Sequence, residues 1–191
     1  MRKLFLLLIA AVLLLSGQVY ADSLFSDSDS FVDLPLASFQ INDGTGINTI
    51  TASTAPGFEL DNKLNSIVWA DNEVTPISVT FKVPHDYFKD GEFRILADES
   101  NSTTPNKIDF QVYVNRDGQT WDTAATDQTP VALAGTAGTP DVVQLKPVTD
   151  FNGLRPNDYV TFQMWRDNVA IGNGDLEAYH VRFYYKRKLN Q

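Results

Sequence analysis

The chain has 191 residues, with 15 Lys and Arg against 24 Asp and Glu, a formal net charge of −9 and no cysteine. An acidic surface repels phosphate backbones, so no nucleic-acid partner is expected. The lack of cysteine excludes a disulfide framework, a Cys-based zinc site, a thiol nucleophile and a lipid-attachment Cys, and packing alone must hold the domain together.

Arg2 and Lys3 precede an apolar run from Leu4 to Leu15, followed by a break and a small residue at Ala21. This pattern predicts a cleaved export signal over residues 1–21 and a mature chain beginning near Asp22. The run is about a dozen residues long where a membrane-spanning helix needs roughly 20, so no membrane contact is expected after cleavage. The protein is therefore expected to be secreted, whether to a periplasm, a cell surface or the medium. Cleavage removes Arg2 and Lys3 and no acid, which moves the net charge from −9 to −11.

Residues 22–30 are a Ser- and Asp-rich segment, with only Leu24 and Phe25 apolar, too polar to pack by itself, which predicts a flexible lead-in. From Phe31 to Lys188 the sequence predicts one β-sandwich domain, because period-two alternation is broken every 10 to 20 residues by Gly, Pro, Asn and Asp. Four segments alternate cleanly. In residues 77–83 the inward set is Ile77, Val79, Phe81 and Val83; in residues 107–114 it is Ile108, Phe110, Val112 and Val114. In residues 159–166 it is Val160, Phe162 and Met164, which puts Tyr159, Thr161, Gln163 and Trp165 outward. In residues 178–186 the pattern buries Tyr179, Val181, Phe183 and Tyr185 and presents His180, Arg182, Tyr184 and Lys186 outward.

Less regular strand candidates are residues 34–41, 57–60, 66–69, 92–97, 131–133 and 141–145. About eight strands of this kind suit an all-β, antiparallel, two-sheet jelly roll. Residues 84–90, opened by Pro84 and closed by Gly91, predict one short turn of helix. Residues 120–140 are small and polar and read as a long surface loop or a weakly packed edge. The basic cluster Lys186-Arg187-Lys188 reads as a solubilising tail that also blunts an edge strand.

No catalytic arrangement emerges. His85 and His180 have no spacing that pairs them with each other or with a serine, and the chain has no Gly-x-Ser-x-Gly turn, no phosphate loop and no His-Glu-x-x-His run. The expectation is a protein without enzymatic activity. Calcium is the metal that suits the oxygen donors of its turns, with Asp167, Asn173 and Asp175 as the candidate ligands and Asp71-Asn72-Glu73 and Asp98-Glu99 as further acidic turns. Asp and Asn also favour such turns by bonding to their own backbone. Trp121, after the Asp117-Gly118 turn, together with Trp165 and Tyr184, forms the candidate set for stacking on a ligand ring, though an outward Trp can equally be covered by a loop. Asn101-Ser102-Thr103 has the N-glycosylation pattern.

Leu34-Pro35-Leu36, Val79-Thr80-Phe81-Lys82-Val83-Pro84 and Leu154-Arg155-Pro156-Asn157-Asp158-Tyr159-Val160, leading through Trp165-Arg166-Asp167-Asn168 to the closing aromatic strand, carry a resemblance of pattern. From Leu34 to Lys186 the chain resembles jelly-roll proteins of unassigned function from phage-like and environmental bacterial sequences. Unlike the phage-like members, it has an export signal. It is more loosely similar to secreted jelly-roll fibre subunits that add a strand from one copy to the next. The resemblance implies an exported, non-enzymatic structural protein that self-associates, its partner a copy of itself. Leu34, Leu36, Phe39 and Ile41 would be the anchors of the added strand, or else the domain's own first strand. The alternative function is a secreted carbohydrate-binding module with a glycan on an aromatic platform.

Overall fold

The structure is a computed structural model that describes residues 28–42, 47–61, 64–100, 105–116, 118, 128–134, 136–147, 153–167 and 174–188. The expected export signal, most of the lead-in, the Asn101 glycosylation pattern, Trp121 and Asn173 lie outside the described residues.

The expected all-β fold is present, with twelve strands among the described residues where about eight were expected. They are β1 Ser28–Leu34, β2 Gln40–Asn42, β3 Ile47–Thr49, β4 Gly57–Asp61, β5 Leu64–Trp69, β6 Ile77–Lys82, β7 Tyr87–Glu99, β8 Lys107–Asn115, β9 Val131–Ala132, β10 Asp141–Leu145, β11 Tyr159–Arg166 and β12 Leu176–Arg187. One sheet has the order β10-β7-β12-β5-β4, with β1 also paired to β12; the other has the order β3-β2-β6-β11-β8-β9. Every pairing among the described residues is antiparallel. The twelve-residue β12 holds the first sheet together: β7 runs along one side, while β5 takes its first residues and β1 takes Val181 to Arg187 on the other.

Period-two alternation made β6, β8 and β11 readable because each lies inside a sheet with one face on the core. Ile77, Val79, Ile108, Phe110, Val112, Val160, Phe162 and Met164 are all buried as expected, and Phe81 and Val114 pack against the same cluster. Phe93 and Phe183 from the first sheet meet Phe162 and Phe81 from the second in an aromatic core.

Four local expectations are corrected. The turn of helix expected over residues 84–90 is instead a tight non-helical turn closed by Tyr87 N–H donating to Pro84 O at 3.2 Å, after which the chain enters β7. One turn of helix makes few hydrogen bonds for the dihedrals it fixes, whereas β7 gains a long ladder with β12. Tyr179 is half-buried rather than inward, because the register slips between Ala178 and His180 and the extra residue lets Leu176 and Ala178 take the inward places. The candidate strand over 34–41 is split at Pro35, which has no N–H and φ −58, into β1, a 3-10 turn at Leu36–Ser38, and β2. Finally, β1 begins at Ser28, so Ser28, Asp29 and Ser30 of the expected lead-in pair with Arg187, Lys186 and Tyr185. Their polar side chains gave no alternation to read.

Candidate functional site

Two outer faces carry clusters of chemistry, one on each sheet. On the second sheet, β11 is flanked by β6 and β8 in a register that builds cross-strand rows. Tyr159 lies opposite Lys82 and Asn115, Thr161 opposite Thr80 and Tyr113, Gln163 opposite Ser78 and Gln111, and Trp165 opposite Asp109. Gln40 of β2 extends the Ser78 row. Between Lys82 at one end and Asp109 at the other, every side chain on these rows is uncharged. Tyr113 donates its hydroxyl to Gln111 Oε1 at 3.1 Å, and the Thr80 and Thr161 hydroxyls are 2.8 Å apart. Gln163 is buried although it faces outward, whereas Tyr159 is about half exposed and Trp165 and Tyr113 are half-buried. At about 3.3 Å per residue, Tyr159 and Trp165 are about 20 Å apart along β11.

On the first sheet, a cavity of about 720 Å³ opens over β7, β12 and the loop after β10. Its lining includes Phe88, Glu92 and Arg94 of β7, Tyr184 of β12, and Lys146 just beyond β10. Arg94 lays its guanidinium carbon 3.9 Å from the Tyr184 ring centroid, a cation–π contact. Both Nε and Nη2 of Arg94 engage Glu92 Oε1, and Lys146 Nζ reaches Glu92 Oε2 at 3.1 Å. Glu92 is buried, and these contacts give its carboxylate oxygens the polar partners that burial takes away with water. Burial pushes the phenols of Tyr87 and Tyr185, which also line the cavity, above their ordinary range, so neither adds charge at neutral pH.

Beside this cavity the sheet edge is stapled. Phe31 of β1 packs 5.6 Å from Tyr184, with Arg182 4.5 Å from the Phe31 centroid. Asp33 Oδ1 accepts from Arg182 Nε at 2.7 Å and stands 3.0 Å from His180 Nε2. The Arg182 hydrogen bond, ahead of the Arg182 and His180 charges, holds the Asp33 carboxyl below the usual range.

The candidate stacking residues are not brought together. Trp165 and Tyr184 belong to different sheets and face away from each other, so they cannot form one platform. The Tyr184 ring is already covered by Arg94 and Phe31. Leu34, Phe39 and Ile41 are buried in this chain's own core and Leu36 packs against it. Of the metal candidates, Asp167 is buried with its N–H on Lys107 O, and Asp175 Oδ1 accepts from Asp71 N–H at 3.0 Å. Among the described residues, no group of three or more His, Cys, Asp or Glu could hold a metal ion.

Sequence reasoning did not name Tyr113, Gln111 or Gln40, although the alternation of β8 already placed the first two outward. It also missed the cavity, whose walls come from segments that only strand pairing brings together. A polar cluster joins the ends of the two sheets: Arg166 is buried and donates Nη1 to Ala70 O at 3.0 Å, and Glu99 Oε2 accepts from both N and Nδ2 of Asn106.

No family model and no curated protein matches the chain. Among solved structures, it is similar to a xylan-binding module, CBM15, at 9% identity and a TM-score of 0.50, over 85% of this chain and 100% of that one. It also matches a family 29 carbohydrate-binding module from Piromyces equi at 8% identity and TM-score 0.42, over 84% of this chain and 89% of that one. Xylanase 10C from Cellvibrio japonicus, in complex with xylopentaose, matches at 9% identity and TM-score 0.47, where the alignment spans 81% of this chain and 28% of the longer one. No helix of the described residues is long and apolar enough to cross a membrane. The family expected from the sequence pattern is thus reached only at the level of architecture: the chain is a two-sheet antiparallel jelly roll.

Proposed function

We propose that the chain is an exported, non-catalytic carbohydrate-binding domain that holds a neutral polysaccharide along the outer face of β6, β8 and β11. The observation that carries this reading is the row of Tyr159, Tyr113 and Trp165 interleaved with Gln40, Gln111, Gln163, Thr80 and Thr161, with charged residues only at its ends. Sugar rings offer an apolar face to aromatic side chains and hydroxyl edges to amides and hydroxyls, and this face has both. A span of about 20 Å suits several linked sugars rather than one. That a module of the same architecture is described as xylan-binding supports the ligand class. Self-assembly by strand addition has less support, since its proposed anchors already fill this chain's own core.

The test is affinity electrophoresis of the mature protein in gels containing xylan or other neutral plant polysaccharides. Trp165→Ala and Tyr159→Ala should each weaken binding about tenfold, while Tyr184→Ala on the opposite face leaves it unchanged. Absence of binding to every neutral polysaccharide, or a loss confined to Tyr184→Ala, would overturn the proposal.

A further inference from the structure

We propose that the cavity on the first sheet is a second saccharide site, independent of the β11 face, and that it takes a sugar bearing a carboxylate, a uronic acid. Its volume of about 720 Å³ falls in the range of small-molecule sites and far exceeds what an inorganic ion fills. Among the described lining residues, Lys89, Arg94, Lys146 and Lys186 stand with Asp29, Asp90 and Glu92, one cation in excess once Lys186 is paired with Asp29, in a chain whose formal charge is −9. A locally cationic recess on an acidic protein selects an anion and steers it inward.

The placement of the cations defines the anion's seat. Glu92 is shared by Arg94 and Lys146, so two positive charges converge on one carboxylate, and the Lys146 side chain remains 68% exposed with ammonium protons to spare. Stacking on Tyr184 keeps the Arg94 guanidinium fixed at the cavity wall. An incoming carboxylate placed beside Lys146 and Arg94 would balance the excess charge through charge-assisted hydrogen bonds.

The rest of the wall distinguishes a sugar acid from other anions. Phe88 is about half exposed, with Lys89 Nζ 5.3 Å from its ring centroid on one side, and the rest of its ring is aromatic wall for an apolar sugar face. Asp29, which is ion-paired to Lys186, and Asp90 supply acceptors for sugar hydroxyls, because a carboxylate has about four lone-pair sites and one ion pair does not use them all. A fatty-acid tail would find too little apolar wall, whereas a polyhydroxylated ring with one carboxylate matches cation, acceptor and aromatic surface together.

Isothermal titration of the mature protein with trigalacturonate and with its methyl-esterified form, which keeps the size and removes the charge, tests this. Wild type should bind the acid and not the ester. Lys146→Ala should weaken acid binding about fivefold and Phe88→Ala about tenfold, Lys146→Arg should restore it, and added salt should reduce it. Trp165→Ala should leave it unchanged, which keeps this outcome separate from that of the β11 face. Equal binding of acid and ester, no binding of either, unchanged affinity in both variants, or a loss in Trp165→Ala would each overturn the proposal.

Discussion

Phe93 of β7 and Phe162 of β11 stack across the sandwich with ring centroids 3.9 Å apart and planes 17° from parallel. They belong to different sheets, and both are fully buried. This contact joins the two layers at their centre, where Phe110 and Phe39 also lean on Phe162. Phe162→Ala should therefore leave a central cavity and cost about 3–5 kcal/mol of stability. Urea denaturation of the domain measures it, and a loss below about 1 kcal/mol would mean that the sheets close without this pair.

At the end of the sandwich, Glu99 is 2% exposed and satisfies both the backbone and side-chain N–H of buried Asn106, at 2.7 and 3.2 Å. Glu99→Ala strands those donors away from water and should cost about 1–3 kcal/mol. Glu99→Gln keeps an acceptor in place and should lose less. The ranking of the two variants in denaturant is the readout, and a reversed order would contradict the assigned role.

The Asp33 contacts with Arg182 and His180 bind β1 to β12, and the lowered carboxyl range of Asp33 sets the sign of the pH effect. A carboxyl whose folded value is depressed adds stability above its unfolded value, and that stability is lost as pH falls through the folded one. Both partners are substantially exposed, so Asp33→Asn should cost at most about 1 kcal/mol at pH 7. The gap between variant and wild type should narrow below about pH 4. Thermal melts at pH 7 and pH 2.5 measure this, and a gap that stays constant would rule the pair out as the cause.

Gly57 opens β4 with no room for a side chain. A Cβ there would stand 2.7 Å from Thr54 O and 3.2 Å from Thr51 O, and both are backbone atoms that cannot rotate aside. Thr51 O also accepts from Phe58 N–H at 3.0 Å, which fixes the turn. Gly57→Ala should cost about 1–3 kcal/mol and loosen the β4 edge. Hydrogen exchange at Phe58 reports the second effect, and unchanged protection there would show that the turn can yield.

Alternation along β6, β8 and β11 was legible in the sequence, and with it came the fold class, the core positions from Ile77 to Met164 and the outward placement of Trp165. The reason is that a half-buried strand must repeat every two residues, a requirement written in adjacent positions. Tertiary structure decided the rest. Strand β1 shows no pattern until β12 lies beside it, and the slip at Ala178 and His180 depends on two partners acting on one strand. Which sheet a strand joins is set by pairings between residues far apart in the chain, such as Phe31 with Tyr184. Local periodicity carries no record of that choice, and so it could not reveal that Trp165 and Tyr184 look in opposite directions or that Phe88, Arg94 and Lys146 line one cavity.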